Sequence, residues 1–462
     1  RSTLLAAAAA SDVYTRPLPE GVEEIHDSAF FGCDKLTEIE IPQSVITIGS
    51  NAFGECSRLQ NVVLPENLTS LSSLLFKNCR NLKSITIPES VTEIGSGAFF
   101  GCGLTGLTIP ESVTEIGDEA FYDCVNLTGI TIPESVTEIG ASAFQWCELL
   151  ESIILPEGVT EIDESTFFGC YALTGITVPE SVNKIGRRAF YDCRNLQSIA
   201  LPQGLTEISD YTFEYCLNLV CVDIPESVTA IGEEAFAECR SLTGVVLPEN
   251  LTTIDYGAFA NCRALESVTM PDKLTSIGDK AFIFCFGLES VNLNSGLTSI
   301  GDTAFGSCIA LKNINIPKAV TVIGESAFGA CRALESITIP DGVTTVGETL
   351  FIGCTALKSV TVGNGISTIG KAMFYSCYNL ETVVLSDSVT EISDSAFKNC
   401  VNLTTVFYKG TEDDWEQIEI KYPDSDNLCL IQATRYYYSK EEPSESGNYW
   451  HYGTDGVSPE IW

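Results

Sequence analysis

Histidine is nearly absent from this chain of 462 residues: His26 and His451 are the two that occur, at opposite ends. A Ser-His-Asp or Cys-His pair would have to use one of them. His26 stands where later units carry a bend glycine, and His451 sits among Tyr449, Trp450 and Tyr452, a setting that reads as packing. Basic residues are also scarce, 25 Lys and Arg against 62 Asp and Glu, for a net charge of −37. Phosphate backbones demand Lys and Arg stripes, so nucleic acid is excluded as a partner, and an anionic membrane surface is disfavoured for the same reason. Neutral or basic partners are expected. No apolar run reaches the length of about 18 residues that a membrane-spanning helix needs. There is no Cys-x-x-Cys pair for zinc, no phosphate-cradling Gly-rich loop and no His-Glu-x-x-His helix. With no constellation of the required kind, the chain reads as non-catalytic, without cofactor.

What the sequence does contain is a 23-residue unit written over and over. One copy runs Leu127-Thr-Gly-Ile-Thr-Ile-Pro-Glu-Ser-Val-Thr-Glu-Ile-Gly-Ala-Ser-Ala-Phe-Gln-Trp-Cys147. Phenylalanines at 30, 53, 76, 99, 121 and onward to 397 mark the period. From Phe30 to Phe397 the chain advances 367 residues, sixteen steps of 23 less one deletion after Cys102. A fixed period of this size marks a solenoid, in which each unit buries its apolar face against its neighbours only. Hydrophobic residues make up 45% of the chain, enough for a continuous core.

Within a unit, Leu36, Ile39 and Ile41 have the spacing of a short strand with one buried face. Pro42 ends the strand because it has no N–H to donate. Val45 and Ile48 form a second apolar pair, and Gly49 supplies a bend. Phe53 and Cys56, three apart, suit one short helical turn that presses both inward.

The pattern Leu-x-x-Ile-x-Ile-Pro-x-x-Val-Thr-x-Ile-Gly-x-x-Ala-Phe-x-x-Cys resembles the BspA-like leucine-rich repeat over residues 17–408. The resemblance implies a right-handed, curved α/β solenoid of about 17 coils, with a parallel sheet on the concave side and short helical turns. It implies a secreted or surface-displayed bacterial protein that attaches to proteins of a host or neighbouring cell, and it carries over no catalytic residue. Residues 409–462 leave the repeat and hold Trp415, Trp450 and Trp462; they resemble the tail that closes such proteins. That segment is expected to cap the last coil, while Tyr436–Tyr438 and Asn448–Tyr452 leave a sugar-stacking platform open. Residues 1–16, small and apolar in their first part, read as the end of a secretory signal or a remnant of cloning, the first residue being Arg1 rather than Met.

Seventeen of the nineteen cysteines, Cys33 to Cys400, hold one position of the unit. They are expected as one inward column of small buried thiols, not as disulfides or metal ligands. Cys221 falls at an outward strand position and Cys429 in the closing segment.

Three surfaces offer themselves for binding. The first is the outward row of the concave sheet, from Glu38 and Glu40 through Ser84, Thr86, Gly129, Thr131, Ser152 and Ile154, suited to an extended peptide or a glycan. The second is a pair of carboxylate columns, Glu93, Glu115, Glu138 and Glu161 beside Glu89, Glu111, Glu134, Glu157 and Glu180. Lys184 interrupts the first of these. Solubility explains them, and weak calcium at Glu93, Glu115, Glu138 and Glu161 is the alternative. The third is an aromatic ridge of Phe100, Tyr122, Trp146, Phe168, Tyr171, Tyr191, Tyr211 and Tyr215, residue types that anchor protein interfaces. A protein partner outside the cell is expected, with a glycan or an envelope-organising role as the alternative.

Overall fold

A computed structural model describes residues 2–4, 18–444 and 446–462. The 1–16 tail therefore lies outside the described residues except for the short strand Ser2–Leu4. The chain folds as a β-solenoid whose contacts divide it into two compact units, Arg1–Val228 and Thr229–Trp462. Each unit is built from the same three-sided coil.

In the coil of the first unit that begins at Leu127, side one is the strand Gly129–Thr131, parallel to and in register with Gly106–Thr108. Side two is Glu138–Ile139, paired in the same sense with Glu115–Ile116. Leu127, Ile132, Val136, Ile139, Ala143, Phe144 and Cys147 point inward and are buried. The bend glycine is required by close approach, since a Cβ on Gly140 would stand 2.5 Å from the Asp118 amide nitrogen.

The third side differs from the helical turn expected there. The two α-helices among the described residues, α1 (Glu412–Glu416) and α2 (Leu428–Gln432), both belong to the closing segment. Between bend and cysteine the coil instead runs through hydrogen-bonded turns with two left-handed residues four apart, such as Ser142 (φ 56°) and Trp146 (φ 61°). The same pair recurs as Asn51 and Glu55 or Arg188 and Asp192 in the first unit, and as Glu234 and Glu238 or Thr303 and Ser307 in the second. A helical turn keeps its N–H groups inside the coil. Two residues with positive φ direct alternate N–H groups along the stacking axis instead: Phe121 donates to the Ala143 carbonyl at 2.8 Å and Asp123 to that of Gln145 at 2.8 Å. This third ladder of backbone bonds offsets a conformational cost of roughly 1 kcal/mol or more for each non-glycine residue held there.

The ladder also builds the core. In the first unit the rings from Phe30 to Phe213 stack at centroid distances of 5.1–5.7 Å. In the second, Phe236 to Phe397 stack at 5.1–5.8 Å. Column cysteines after the first coil donate their thiols to the carbonyl of the preceding coil's phenylalanine, as Cys147 Sγ to Phe121 at 3.2 Å in the first unit and Cys262 Sγ to Phe236 at 3.2 Å in the second. A cysteine there fills a methyl-sized slot and satisfies a buried carbonyl at once.

The closing segment extends the sheets of the second unit. Thr434–Tyr438 runs parallel to Thr405–Tyr408, Tyr449–Tyr452 follows, and Pro459–Ile461 adds an antiparallel strand. Glu419–Ile420 continues side two. The third ladder is finished by a side chain: Asn427 Oδ1 accepts the Phe397 N–H at 3.0 Å, where a next coil would have offered a carbonyl. Trp415 is buried against Tyr408 at 5.3 Å. Trp450 is fully buried, packs on Phe407 at 5.5 Å and donates its indole N–H to the Tyr408 carbonyl at 2.9 Å.

Phe190 is fully buried between Phe167 and Phe213. Its replacement by alanine should cost about 3–5 kcal/mol. Thermal melting checks this: the Phe190→Ala variant should lose stability in part of the array, nearest-neighbour coupling sparing the rest. A melting curve equal to the parent's would contradict the inward ladder.

Candidate functional site

With the core and the backbone satisfied inside the stack, chemistry is left to outward positions. On side one of the first unit they form a groove of about 960 Å³ across the strands of four coils, floored by Gly106 and Gly129 and lined by Thr86, Thr108, Thr131 and Ile154. Ile154 is 70% exposed, so the groove has an apolar patch within reach of solvent. Glu89 and Glu134 stand on its margin. The two glycines are not there for backbone reasons. Neither has positive φ, a Cβ on Gly129 would meet nothing within 4 Å, and one on Gly106 would come only to 3.7 Å from a carbonyl oxygen. Their effect is to leave strand backbone uncovered.

The aromatic ridge lies on the turn side, and its ring contacts fall in two groups. Phe100 stacks on Tyr122 at 4.5 Å, with the Lys77 ammonium over Phe100. Trp146 meets Phe168 at 4.9 Å and Tyr171 at 5.8 Å, Phe168 stacks on Tyr191 at 4.5 Å, and Tyr191 meets Tyr215 at 5.6 Å. Guanidinium groups lie over two of the rings, Arg194 over Tyr171 at 4.3 Å and Arg187 over Tyr211 at 4.8 Å. All these rings are half-buried. Burial among neighbours pushes the Tyr191 phenol up to about 12, with the Glu214 carboxylate adding to it. Trp146, Arg188, Tyr211 and Tyr215 hold left-handed backbone positions.

The carboxylates of side two stand one per coil, Glu93 beside Glu115 and Glu115 beside Glu138. Burial, and after it the Glu93 and Glu138 charges, raise the Glu115 carboxyl. Lys184 relieves the file by pairing with Glu161. Among the described residues no group of three or more His, Cys, Asp or Glu is arranged to hold a metal ion. The expectation of weak calcium finds no coordination set at Glu93, Glu115, Glu138 and Glu161. In the closing segment, Trp450 cannot take part in a sugar platform because it is buried, whereas Trp462 is 43% exposed and lies tilted against His451, ring centroids 3.9 Å apart.

A family model described as the BspA type leucine rich repeat region matches residues 11–128, 114–242, 160–288, 206–334 and 275–404. The chain belongs to this family. As a BspA-type leucine-rich repeat protein it shares its fold with a leucine-rich repeat protein from Bacteroides ovatus, at 29% identity and a TM-score of 0.52, over 84% of this chain and 87% of that one. It is also similar to a leucine rich cell surface protein from Faecalibacterium prausnitzii, at 28% identity and a TM-score of 0.37, over 88% of this chain and 89% of that one. No curated protein matches it. Leucine-rich repeat proteins of this kind are typically non-catalytic binding scaffolds. No helix among the described residues is long and apolar enough to cross a membrane.

In this BspA-type chain the cysteine column is buried from Cys33 to Cys400, Cys221 is exposed and Cys429 intermediate. Desolvation pushes Cys56, Cys124, Cys285 and Cys354 up to about 12. Only the thiolate is nucleophilic. A thiol-reactive dye should therefore label Cys221 quickly in the native protein and Cys429 more slowly. The column should stay silent when the pH is raised to about 9 and react once denaturant is added. Fast native labelling of several column cysteines would contradict their burial.

Proposed function

We propose that this chain is a non-catalytic, protein-binding scaffold, secreted by or displayed on a bacterium, and that it adheres to proteins of a host or neighbouring cell. The observation that carries the reading is the groove on side one, where a rigid ladder presents uncovered strand backbone beside apolar and hydroxyl-bearing side chains. A surface whose backbone is held on both sides by neighbouring coils loses little entropy when it binds. The bacterial-surface setting rests on family membership. A second protein-binding face is the ridge of Phe100, Tyr122, Trp146, Tyr171, Tyr191, Tyr211 and Tyr215, favoured by half-exposed rings held under Arg187 and Arg194. The alternative, a glycan-binding or envelope-organising module, is left with the hydroxyl-bearing groove and with Trp462, Tyr438 and Tyr452 at the end.

Screening the purified chain against arrays of extracellular-matrix and serum proteins and of glycans tests this. Saturable binding on the protein array is expected. It should fall about tenfold in the Gly106→Thr, Gly129→Thr double variant, a loss of about 1.4 kcal/mol, while the melting temperature holds. The Trp146→Ala, Tyr191→Ala variant separates the ridge from the groove. Binding confined to the glycan array, or indifference to both variants, would overturn the proposal.

A further inference from the structure

We infer that the groove takes one kind of occupant: an extended polypeptide segment bearing Lys or Arg side chains, laid across the strands. The inference rests on the reading of the groove as a protein-binding face and adds the chemistry of the partner.

Three observations meet at this place. First, glycine inside a strand weakens it, and one common reason to keep it is the close approach of another backbone. Gly106 and Gly129 need their missing side chains neither for φ nor for packing, so the space above them is what the substitution of Thr or Ser by Gly provides. Second, that space is a trough and not a closed pocket. It crosses four coils, about 14 Å at the spacing of paired strands, which four or five residues of extended chain would span. Third, the margin beside the prolines is acidic in every coil it passes: Glu89, Glu111 and Glu134 are all exposed, with Glu157 continuing the file. The opposite margin carries Lys83, Thr105, Thr128 and Glu151 and offers no comparable positive file.

The electrostatics then select the occupant. An acidic segment would meet the carboxylate file and a chain of net charge −37. A neutral segment would gain the apolar contact at Ile154 but leave the file unused. A basic segment meets both, with charge steering its approach and the floor fixing its depth. Side chains on one face of an extended segment recur about every 6.6 Å, against about 4.8 Å between coils. Long, flexible Lys and Arg arms absorb that mismatch. The Glu134 carboxylate already accepts the Glu157 N–H at 3.2 Å, which orients it without using all of its acceptor capacity.

The test uses a fluorescently labelled decapeptide of alternating Lys and Thr, with an alternating Glu and Thr peptide as control, read by anisotropy on the full chain. Four proteins are compared: the parent; Gly106→Thr, Gly129→Thr; Glu89→Gln, Glu111→Gln, Glu134→Gln; and Glu325→Gln, Glu348→Gln, Glu381→Gln, which removes equal charge from the second unit. Saturable binding of the Lys peptide is expected, weaker by about tenfold in both groove variants, unchanged in the second-unit variant, and absent for the Glu peptide. Equal weakening by the two Glu triples would mean diffuse attraction to a polyanion and would overturn the inference. So would indifference of the Lys peptide to the glycine variant, whose fold is checked by melting. If an array-identified protein responds to the glycine variant while the Lys peptide does not, the groove stands as a binding face and its basic occupant falls. If neither responds, both readings fall.

Discussion

Everything in this molecule follows from the need of each coil to hand its backbone hydrogen bonds to the next. A β-solenoid coil has no sheet of its own; its N–H and C=O groups point along the stack, and each finds a partner only if the neighbour repeats the same path one period away. Register is therefore absolute. The single deletion after Cys102 is tolerated because it falls in the spacer between cysteine and leucine and leaves the strands Glu93–Ile94 and Glu115–Ile116, which flank it, paired residue for residue. Leucine, isoleucine, phenylalanine and cysteine columns then arise as a consequence, since a position that points inward in one coil points inward in all.

The same constraint divides labour between inside and outside. Because three backbone ladders and the stacked Phe columns hold each unit, outward positions are released from structural duty and differ from coil to coil. Glycines appear on side one of the first unit, large aromatics on its turn side, and carboxylates on the margins. Cysteine shows the other half of the division. Column thiols are buried, bonded to carbonyls and shifted far from reactivity, while Cys221, outside the column, is exposed.

The fold was legible in the sequence because its signal is repetition: period, inward columns, strand positions and the cysteine file can all be read from spacing. The third side was misread. Phe and Cys three apart do suit a helical turn, and the residues that take positive φ, among them Ser142, Glu119, Arg188 and Trp146, give no local sign of it. Glycine, the usual signal, stands at only a few of those positions, such as Gly97 and Gly101. The aromatic run around Trp450 reads as packing from sequence, but its partners do not, since they depend on a strand pairing that brings residue 450 over Phe407 and Tyr408. The face that holds the groove was legible as the outward row through Thr86, Gly129, Thr131, Ser152 and Ile154, but its depth was not: only stacking of Gly106 and Gly129 in adjacent coils turns two missing side chains into a trough.

The most direct test of the account is excision of one whole period from the second unit, residues 268–290, compared with excision of 268–291, which is one residue longer and joins the chain inside the side-one strand Ser267–Thr269 and not in the tolerant spacer. If coil-to-coil register is the governing constraint, the in-register deletion should melt cooperatively with the parent's circular dichroism per residue. The longer deletion should lose stability or aggregate, because every ladder beyond the cut is displaced by one residue and its inward face turned outward. Equal behaviour of the two deletions would contradict the account at its base.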